Sequence, residues 1–311
     1  MDSAVTGEGY ESVTETRVPS RRTVEVLIVS YNTVDLLIAC IRSVSAACEH
    51  VAVTVEVAVF DNGSTDGSAK EVRRLFPAVR VLESRTNVGF AQGNNRLAES
   101  SYADYLLLLN SDTLLIEDIV TPLVTAMEDD AQVALVAPRL VSSGGRVQYS
   151  SERFPTPRFE FAKELWLTKA GNIFGTSVSS ALTKYRRIAE IDACVAHRAD
   201  CIWATCWLLR TEDVRMLGLF DEHFVTYDED LDFCWRLRER GRTALYEPSV
   251  SIVHLGGASS TSQAKRELMY HARAKYYRRH HGRATEWRYR LMVGGVRIVK
   301  RVLARLRASA G

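Results

Sequence analysis

The chain has 311 residues, of which 46% are hydrophobic, and it carries 40 Lys and Arg against 38 Asp and Glu, a formal net charge of +2. This length and composition predict a globular protein with one large domain or two closely joined ones. The sequence contains no run of about 18 uncharged apolar residues, so no membrane-spanning helix is expected.

The charge is unevenly distributed along the chain. Residues 265–307 contain 14 Lys and Arg, with Glu267 and Glu286 as the acidic residues among them, so the rest of the chain is acidic. A basic tail on an acidic body implies an anionic surface or partner for the tail. No recognised nucleic-acid motif accompanies the charge, and no nucleic-acid partner is therefore expected.

The N-terminus and the cysteines both indicate a cytoplasmic protein. Residues 1–22 are polar and lack the apolar segment of a secretory signal, which predicts a flexible N-terminal tail. None of the six cysteines has C-x-x-C spacing. Buried or incidental thiols in a reducing compartment are expected rather than disulfides or a zinc site.

Strands and helices alternate through the first third of the chain. Apolar runs predict strands at residues 24–30, 53–60, 79–82 and 105–109, and helical spacing follows the first three of them. This alternation indicates an open, mostly parallel α/β sheet, in which ligands bind beyond the carboxyl ends of the strands. Residues 105–109 are apolar throughout, as expected for a central strand covered on both faces. Polar clusters at 30–32, 61–66 and 110–112 all fall at the carboxyl edge.

The pattern is less regular in the second half. Residues 142–200 include an aromatic helical stretch near 159–167 and suit a mobile, partly exposed segment. One apolar strand is predicted at 201–209, a short helix at 212–217, and a helix at 231–240 that Gly241 ends at its C-terminal cap. Two more strands are predicted at 244–246 and 250–253, the second ending at His254.

The most informative stretch is an acidic cluster formed by Asp228, Glu229, Asp230 and Asp232. Carboxylates this close can have their pKa values pushed apart, which lets one accept a proton while others hold a cation or a donor. The alternative is a solvated first turn of a helix, where the macrodipole favours Asp and Glu.

Seven motifs between residues 24 and 260 resemble, in the same order, those of the family 2 glycosyltransferases, which are inverting enzymes with a GT-A fold. Within that family the chain is most similar to the rhamnosyltransferase-like branch. No single motif is decisive, but seven in sequence are strong support. They lie at residues 29–32, 61–67, 87–95, 109–113, 218–224 and 228–236 and at His254.

The resemblance implies a GT-A α/β domain with flanking helices. A nucleotide-sugar-binding half is expected at 23–141, an acceptor-binding and catalytic half at 142–260, and a basic helical extension at 261–311. A nucleotide-diphosphate sugar requires hydrogen bonds to its base and ribose, and a divalent cation for its diphosphate. The residues that match the family's donor site are Ser30, Asn32, Asp61, Asn87, Gly89, Gly93, Asn95, Asn110 and Ser111.

Two of these assignments have structural alternatives. Asp61 matches the residue that binds the base, although the Asp61-Asn62-Gly63 sequence is also typical of a surface turn. Residues 87–95 match a loop and helix start behind the nucleotide, and helix capping explains that sequence equally well.

The metal site is implied by a variant of the family's D-x-D motif. Asn110 stands at its first position, and the resemblance makes Asp112 and His254 ligands of Mg²⁺ or Mn²⁺. Because Asn110 offers only a neutral oxygen, weaker metal binding is expected than with a full D-x-D. The alternative for His254 is a capped histidine of the core or surface.

Asp230, preceded by Glu229, matches the family's catalytic base. Inversion is a direct displacement at the anomeric carbon, so one carboxylate takes the acceptor hydroxyl's proton as that oxygen attacks. Asp228 and Glu229 are expected to orient the acceptor. Asp232 and Arg236, four apart on a helix, are expected to form a structural pair.

Two tryptophans are candidates for the acceptor or sugar pocket. Trp203 and Trp207 flank Ala204 and Thr205, where the family usually has Gly and Ala. Small residues there let the backbone approach the sugar, so these replacements leave the sugar identity open. Core packing is the alternative for both tryptophans. The Q-x-x-R-W signature of processive relatives is absent, which predicts one sugar per binding event.

Together these features predict a non-processive, inverting glycosyltransferase. It would transfer rhamnose or another deoxysugar from a dTDP- or UDP-sugar to a glycan or polyprenyl-linked acceptor. One alternative is a nucleotidyltransferase, which should carry a basic glycine-rich loop after the first strand, where residues 31–35 show none. The other is a non-catalytic glycan-binding protein on the same fold, against which the intact Asp112, Asp230 and His254 argue.

The tail has two interpretations. Aromatic and basic residues interleave at 270–279, and a basic amphipathic pattern follows at 291–306. Such a segment suits an interfacial helix on an anionic leaflet, where lipid-linked acceptors are found, with the protein peripheral on the inner face of the cell membrane. Alternatively, the helix packs on the acidic face of the body.

Overall fold

The computed structural model describes residues 22–166, 193–224, 227–256 and 263–308. The predicted N-terminal tail, apart from Arg22, lies outside the described residues, as do residues 167–192 of the predicted mobile segment.

Four parallel strands form the first half of the central sheet, in the order β3-β2-β1-β4. Each of the first three strands is followed by a helix, as the alternating pattern predicts. The elements are β1 (Thr23–Ser30), α1 (Val34–Ala47), β2 (Thr54–Asp61), α2 (Ser68–Leu75), β3 (Arg80–Glu83), α3 (Phe90–Glu99) and β4 (Tyr105–Asn110).

Strand β4 has hydrophobic core on both faces. Tyr105, Leu107 and Leu109 pack with one cluster of buried side chains. Leu106 and Leu108 pack with the other cluster. Because neighbouring residues of a strand point to opposite faces, an apolar strand of this kind has to be covered on both sides. The prediction for residues 105–109 is confirmed.

The second half extends the same sheet in the order β4-β11-β6-β12-β5. Strand β11 is antiparallel to β4 and to β6, while β6 and β12 are parallel. The elements are β5 (Thr113–Leu115), α4 (Val120–Asp129), β6 (Val133–Val141), β7 (Val147–Gln148), β8 (Ser151–Glu152), α5 (Pro157–Trp166), β9 (His197–Ala199), β10 (Cys201–Ile202), β11 (Cys206–Arg210), α6 (Thr211–Leu217), α7 (Glu229–Glu239) and β12 (Thr243–His254).

The prediction of one continuous strand at 201–209 is wrong. It is divided into β10, which pairs with β8, and β11, which belongs to the central sheet. Between them the Trp203 N–H donates to the Ser150 carbonyl at 2.8 Å, and the Thr205 carbonyl accepts from the Asn110 N–H at 3.0 Å. The apolar run therefore changes sheets at a corner beside Asn110.

The strands predicted at 244–246 and 250–253 are parts of one strand, β12. Its pairing with β6 is irregular between Glu247 and Ser251. Pro248 lies in this interval and has no N–H to donate, which accounts for the interruption of the ladder. Strand β6 itself was not predicted, although residues 133–141 are largely apolar and buried.

The strand register brings the polar ends of the strands to one edge. Ser30 lies opposite Asp61, and Val29 opposite Asn110. The last residue of β12, His254, lies opposite Thr113 in β5. The polar clusters predicted to share the carboxyl edge therefore do so.

The C-terminal segment forms helices that pack on this body. Helix α8 (Gln263–Tyr289) is interrupted at Gly282, and a π-helical turn (Arg290–Gly294) joins it to α9 (Gly295–Ala308). Tyr276, Tyr277 and Tyr289 of α8 are buried in the main core. Within the described ranges, no helix has the length and apolar character needed to cross a bilayer.

Candidate active site

Hydrogen bonds join the loop after β1 to the loop after β2. Asn32 Oδ1 accepts from the Thr65 N–H at 2.8 Å, and the Asn32 N–H donates to Ser64 Oγ at 3.0 Å. The Ser30 and Thr33 hydroxyls are 2.8 Å apart. Asn32 has a φ of 51°, in the left-handed region that Asn tolerates better than most residues. Ser30 and Asn32 thus shape the rim where a donor would lie.

Asp61 is a buried carboxylate at the carboxyl end of β2, with 4% of its surface exposed. Its Oδ1 accepts from the Ser64 N–H at 3.0 Å, which closes a turn. Gly63 in this turn has a φ of 79°, and a Cβ there would lie 2.7 Å from the backbone carbon of Thr86. Glycine is therefore required. The turn that was the alternative interpretation of this sequence is present. The Asp61 carboxylate, however, is buried at the sheet edge and does not lie on the surface.

The loop that leads into α3 is tied to the loop after β2 by amide side chains. Asn62 Nδ2 donates to Asn87 Oδ1 at 3.0 Å, and the Val88 N–H donates to Asn62 Oδ1 at 2.7 Å. Asn87 Oδ1 also accepts from the Gly89 N–H at 2.9 Å. Asn87 and Gly89 therefore fix the relative positions of two loops at the edge.

Helix α3 is held close to the sheet and to the second half of the chain. A Cβ at Gly93 would lie 3.0 Å from side-chain atoms of Phe60 and Val29, so a larger residue would push α3 outward. Asn95 Nδ2 donates to the Phe220 carbonyl at 2.9 Å, and Asn95 Oδ1 accepts from the Phe220 N–H at 2.9 Å. Gly93 and Asn95 therefore hold α3 against the sheet and against the second half of the chain. Their contact with a nucleotide stays a prediction.

The residues after β4 stand beside the other strand ends. Ser111 Oγ is 3.3 Å from the Thr33 hydroxyl. The Asn110 carbonyl accepts from Thr113 Oγ1 at 2.7 Å. Asp112 Oδ2 lies 3.4 Å from His254 Nε2, so β4 and β12 bring the two predicted metal ligands together.

Gln148 determines which nitrogen of His254 carries the proton. Gln148 Nε2 donates to the His254 carbonyl at 3.0 Å, and because a carbonyl can only accept, this bond fixes the orientation of the amide. Gln148 Oε1 then accepts from His254 Nδ1 at 2.7 Å. In the neutral imidazole, Nε2 is left with its lone pair toward Asp112 Oδ2, and a cation between the two would satisfy both atoms.

Asp112 and His254 are the two predicted metal ligands, and the described part of the structure brings them together. Across the described residues, no cluster of three or more His, Cys, Asp or Glu is placed to hold a metal. Mg²⁺ usually keeps several water ligands and takes the rest from one or two carboxylates and substrate phosphates. One carboxylate and one correctly oriented imidazole fit a cation that is bound together with a diphosphate.

The acidic cluster forms the beginning of α7. Tyr227 and Asp228 have φ values of 70° and 64°, in the left-handed region, and the helix starts at Glu229. The Asp230 Oδ1 accepts from the Leu231 N–H at 2.8 Å. The chain therefore turns sharply before α7, and Glu229 and Asp230 at the start of this helix are only partly exposed.

The cluster raises the pKa of two carboxyl groups. Part of Asp230 is open to solvent, but protein surrounds its carboxyl. Desolvation, followed by the charge of Asp228, raises the Asp230 pKa to about 7. The pKa of Glu229 is also raised, by desolvation and then by the charge of Asp230. Because the two groups are coupled, they titrate as a pair. A carboxylate whose pKa lies near neutrality suits a general base.

Asp228 is bound by the C-terminal helix, and its predicted role in binding the acceptor stays a prediction. Arg273 donates from Nε to Asp228 Oδ2 at 2.8 Å and from Nη2 to Asp228 Oδ1 at 3.0 Å. Asp228 is also buried. Both oxygens of its carboxylate therefore bind a guanidinium from the C-terminal helix.

Asp232 and Arg236 form the predicted structural pair. Arg236 Nε donates to Asp232 Oδ2 at 2.8 Å. Asp232 Oδ1 lies 2.8 Å from Nε2 of His280 in α8. Burial opposes ionisation of Asp232, but the hydrogen bond from His280 and the charges of Arg236 and Arg279 outweigh it and lower its pKa. Asp232 therefore holds α7 to the C-terminal helix.

The two tryptophans have different environments. Trp203 is 43% exposed, and its Nε1 donates to Glu152 Oε1 at 2.7 Å. Trp207 is fully buried and stacks on Phe233 with 5.6 Å between ring centroids. The core-packing alternative describes Trp207, whereas Trp203 presents a fixed aromatic surface near Asp230.

A short extended segment links the Asp112–His254 side to the Asp230 side. At one end of this segment, Gln148 is hydrogen-bonded to His254. At the other end, Glu152 accepts a hydrogen bond from Trp203, and its negative charge raises the pKa of Asp230. Four residues of extended chain span at most about 14 Å. One short stretch of chain therefore carries a residue bonded to His254 and a residue whose charge acts on Asp230.

Sequence reasoning missed Gln148, Glu152 and Arg273. β7 and β8 are two residues each, too short to give a periodic signal for Gln148 or Glu152. The charge distribution could have identified Arg273, because a basic tail on an acidic body indicates ion pairs between the tail and the body.

Comparisons with known proteins identify relatives and structural neighbours of this chain. An N-acetylglucosaminyl-diphospho-decaprenol L-rhamnosyltransferase from Mycobacterium tuberculosis is 24% identical over 262 residues, which cover 81% of this chain and 82% of the relative. A mannosyltransferase from Pyrobaculum calidifontis, solved with GDP-Man and Mn²⁺, superposes with a TM-score of 0.59 at 16% identity over 92% of this chain and 76% of that one. GalNAc-T7, solved with UDP, GalNAc and Mn²⁺, gives a TM-score of 0.57 at 15% identity over 83% of this chain, which spans about half (48%) of that one.

The solved structures confirm the GT-A fold and its mostly parallel sheet with flanking helices. The relative from M. tuberculosis supports the rhamnosyltransferase-like resemblance. The Glycosyl transferase family 2 model matches residues 25–191, more than half of the chain. The chain therefore belongs to glycosyl transferase family 2, and the protein is a glycosyltransferase.

Proposed function

We propose that this glycosyltransferase is inverting and non-processive, and that it transfers rhamnose or another deoxysugar from a dTDP- or UDP-sugar to a glycan or polyprenyl-linked acceptor. The observation that carries the proposal is the Asp112–His254 pair, 3.4 Å apart where the strands end, together with Asp230 and its raised pKa at the start of α7. The name of the M. tuberculosis relative supports both a rhamnose donor and a decaprenol-linked acceptor.

In this proposal the donor lies along the carboxyl edge of β1, β2 and β4. Asp61 and Ser30 provide oxygen atoms for the base and ribose. Asn110 and Ser111 stand beside the diphosphate, next to Asp112. The bonds of Asn87 and Asn95 keep the loop and helix behind the donor fixed, so that little of the binding free energy is spent on ordering the site.

Asp112 Oδ2 and His254 Nε2 would hold Mg²⁺ or Mn²⁺. When bound, such a cation neutralises charge on the departing nucleoside diphosphate. Gln148 contributes by keeping the proton of His254 on Nδ1, so that Nε2 remains a ligand. The solved Mn²⁺ complexes of the two structural neighbours support a divalent ion.

Asp230 would act as the general base. As the acceptor oxygen forms its bond to the anomeric carbon, the bond from that carbon to the diphosphate oxygen breaks with its electron pair, and the acceptor proton passes to Asp230. Attack from the side opposite the leaving group inverts the anomeric carbon. Glu229, whose pKa is raised as well, shares the proton equilibrium of the site.

The acceptor would contact the Trp203 ring, which Glu152 holds in place. An indole presents a flat apolar surface of the kind that packs against a sugar ring. The absence of the Q-x-x-R-W signature supports the transfer of a single sugar per binding event.

A panel of nucleotide sugars tests the donor proposal. With Mn²⁺ present, dTDP- or UDP-sugars at about 100 times their Kd should stabilise the fold by about 2.7 kcal/mol, a rise in Tm of a few degrees. Differential scanning fluorimetry measures this rise. If GDP- or CMP-sugars alone raise the Tm, the proposed donor class is wrong.

We also propose that part of the C-terminal segment contacts an anionic lipid surface. The first part of this segment binds the body of the protein, because Arg273 and Arg279 pair with carboxylates there. Farther along, large apolar side chains are exposed on α8, on the π-helical turn and on α9. A mixed basic and apolar surface suits a leaflet that carries polyprenyl-linked acceptors. The exposed side chains are Trp287, Leu291, Ile298, Val299 and Val302.

Vesicle binding tests this surface without removing Arg273. Ile298→Ser combined with Val302→Ser should reduce binding to vesicles of phosphatidylglycerol and phosphatidylcholine at least about fivefold, because buried apolar area contributes to interfacial affinity. Co-sedimentation at low and high salt measures it. Tyr102→Ser is the control, since Tyr102 is 95% exposed and lies just before β4, at the opposite edge of the sheet. Equal loss in both variants, or no loss in either, would exclude this surface.

A further inference from the structure

Arg273 is a buried guanidinium that bridges two carboxylates from different parts of the body. It lies 45 residues beyond Asp228 and binds that carboxylate through two parallel hydrogen bonds of 2.8 and 3.0 Å. Its Nη1 donates to Glu160 Oε1 of α5 at 2.6 Å. Its side chain is 13% exposed. Paired geometry of this kind gives directional specificity as well as attraction.

The bond to Asp228 acts on the backbone that leads into α7. Asp228 has a φ of 64° and precedes the helix, and its carbonyl accepts the first helical bond, from the Asp232 N–H at 2.9 Å. Residues other than glycine rarely adopt this conformation, and it persists where surrounding contacts determine it. Fixing the carboxylate of Asp228 therefore fixes the start of α7, two residues before Asp230.

The same arginine balances the charge around Asp230. Asp228 and Glu152, from β8, both raise the Asp230 pKa, whereas Arg273 lowers it. Glu229 is the neighbouring carboxyl on α7, and its pKa is raised by the charge of Asp230. The Cys201 thiol of β10 also lies near Asp230. Among these groups, Arg273 supplies the positive charge.

We infer that Arg273 is a positioning residue for sugar transfer, and that the C-terminal helix is part of the catalytic unit: through Asp228 it orients the start of α7 so that Asp230 faces the acceptor. This inference rests on the proposed function, in which Asp230 is the base. It assigns to the basic extension a role inside the active site, in addition to any contact with lipid.

The pH profile of kcat separates this role from a merely structural one. In Arg273→Met, Asp228 keeps its negative charge without compensation, so the pKa of Asp230 rises and the acid limb moves to higher pH. At pH 7 the fall in kcat should be about fivefold for a rise of one pKa unit, and it should approach about tenfold at lower pH, where the ionised fraction changes by a factor of ten per unit. In Asp228→Asn, the acid limb should move to lower pH, because a group that raises the Asp230 pKa is removed.

Two further variants complete the test. The double variant Arg273→Met with Asp228→Asn removes both charges and should bring the acid limb back toward that of the parent. Arg279→Met is the matched control, because Arg279 also lies on α8 but pairs with Asp221 and Asp232 rather than with Asp228. Its acid limb should stay within about 0.3 pH units of the parent, well below the one-unit shift expected of Arg273→Met.

The outcomes distinguish this inference from the proposed function. Burial of unpaired carboxylates can unfold Arg273→Met, and in that event the nearly isosteric Asp228→Asn carries the test. If Asp228→Asn lowers the Tm but leaves the acid limb where it was, or moves it to higher pH, Arg273 is only a structural residue. If Asp230→Asn retains parental activity, the proposed base is wrong, whatever the Arg273 variants show.

Discussion

Replacement of Asp230 by Asn is expected to lower kcat by about 10³-fold, the range that general-base catalysis contributes. Asn has nearly the same size and can still accept the Leu231 N–H that Asp230 Oδ1 accepts. It cannot take the proton of an acceptor hydroxyl. The Kd for the nucleotide sugar should change less than about threefold, or about 0.65 kcal/mol, because the base contacts the acceptor rather than the nucleotide.

The matched control for this variant is Asp129→Asn. Asp129 is exposed at the end of α4, and the next strand, β6, starts from the edge opposite the site. Steady-state kinetics and isothermal titration with the donor measure the two effects. Transfer by Asp230→Asn at the rate of the Asp129→Asn control would remove Asp230 from the mechanism.

Removal of the divalent ion is expected to stop transfer. EDTA should abolish turnover and added Mn²⁺ or Mg²⁺ should restore it. In Asp112→Asn and His254→Ala, the Mn²⁺ concentration for half activity should rise at least about 100-fold, because each variant removes a proposed direct ligand, whose loss should cost at least as much as that of an outer-shell partner. Gln148→Leu should raise it by about 10- to 100-fold, as expected for a residue that orients a metal ligand.

The Gln148 variant tests the geometry most closely, since Gln148 bonds to His254 and not to Asp112. Direct titration of Mn²⁺ by electron paramagnetic resonance gives a readout that does not require transfer. His50→Ala serves as the control, because His50 is exposed before β2, at the opposite edge of the sheet. Full activity in EDTA, or parental Mn²⁺ binding in Asp112→Asn, would contradict the assigned ligands.

The first half of the fold could be predicted because each of its elements carries a local signal. The apolar residues 105–109 identified a doubly covered strand, and the polar clusters after the strands identified the site edge. Asp61, Asp112 and His254 lie at strand ends, and parallel strands bring such positions together. The second half of the fold could not be predicted in the same way, because it depends on contacts between distant residues that local sequence patterns do not encode.

The failures occurred where one apolar run serves two structures. Residues 201–209 are apolar in sequence, but the turn at 203–205 passes from one sheet to another through bonds to Ser150 and Asn110. Trp207 and Trp203 are four residues apart, yet one is buried in the core and the other is exposed. The ion pair of Asp228 was not predicted because its partner, Arg273, lies 45 residues away in sequence.

The most direct test is one titration of the donor, in the presence of Mn²⁺, onto Asp230→Asn and Asp112→Asn side by side. The division of labour between the two carboxylates predicts a nearly parental Kd for Asp230→Asn and a Kd raised at least about tenfold, or about 1.4 kcal/mol, for Asp112→Asn. Transfer should be about 10³-fold slower in Asp230→Asn, and in Asp112→Asn it should require at least about 100-fold more Mn²⁺. Equal donor affinity in the two variants, or a greater loss in Asp230→Asn, would contradict the account.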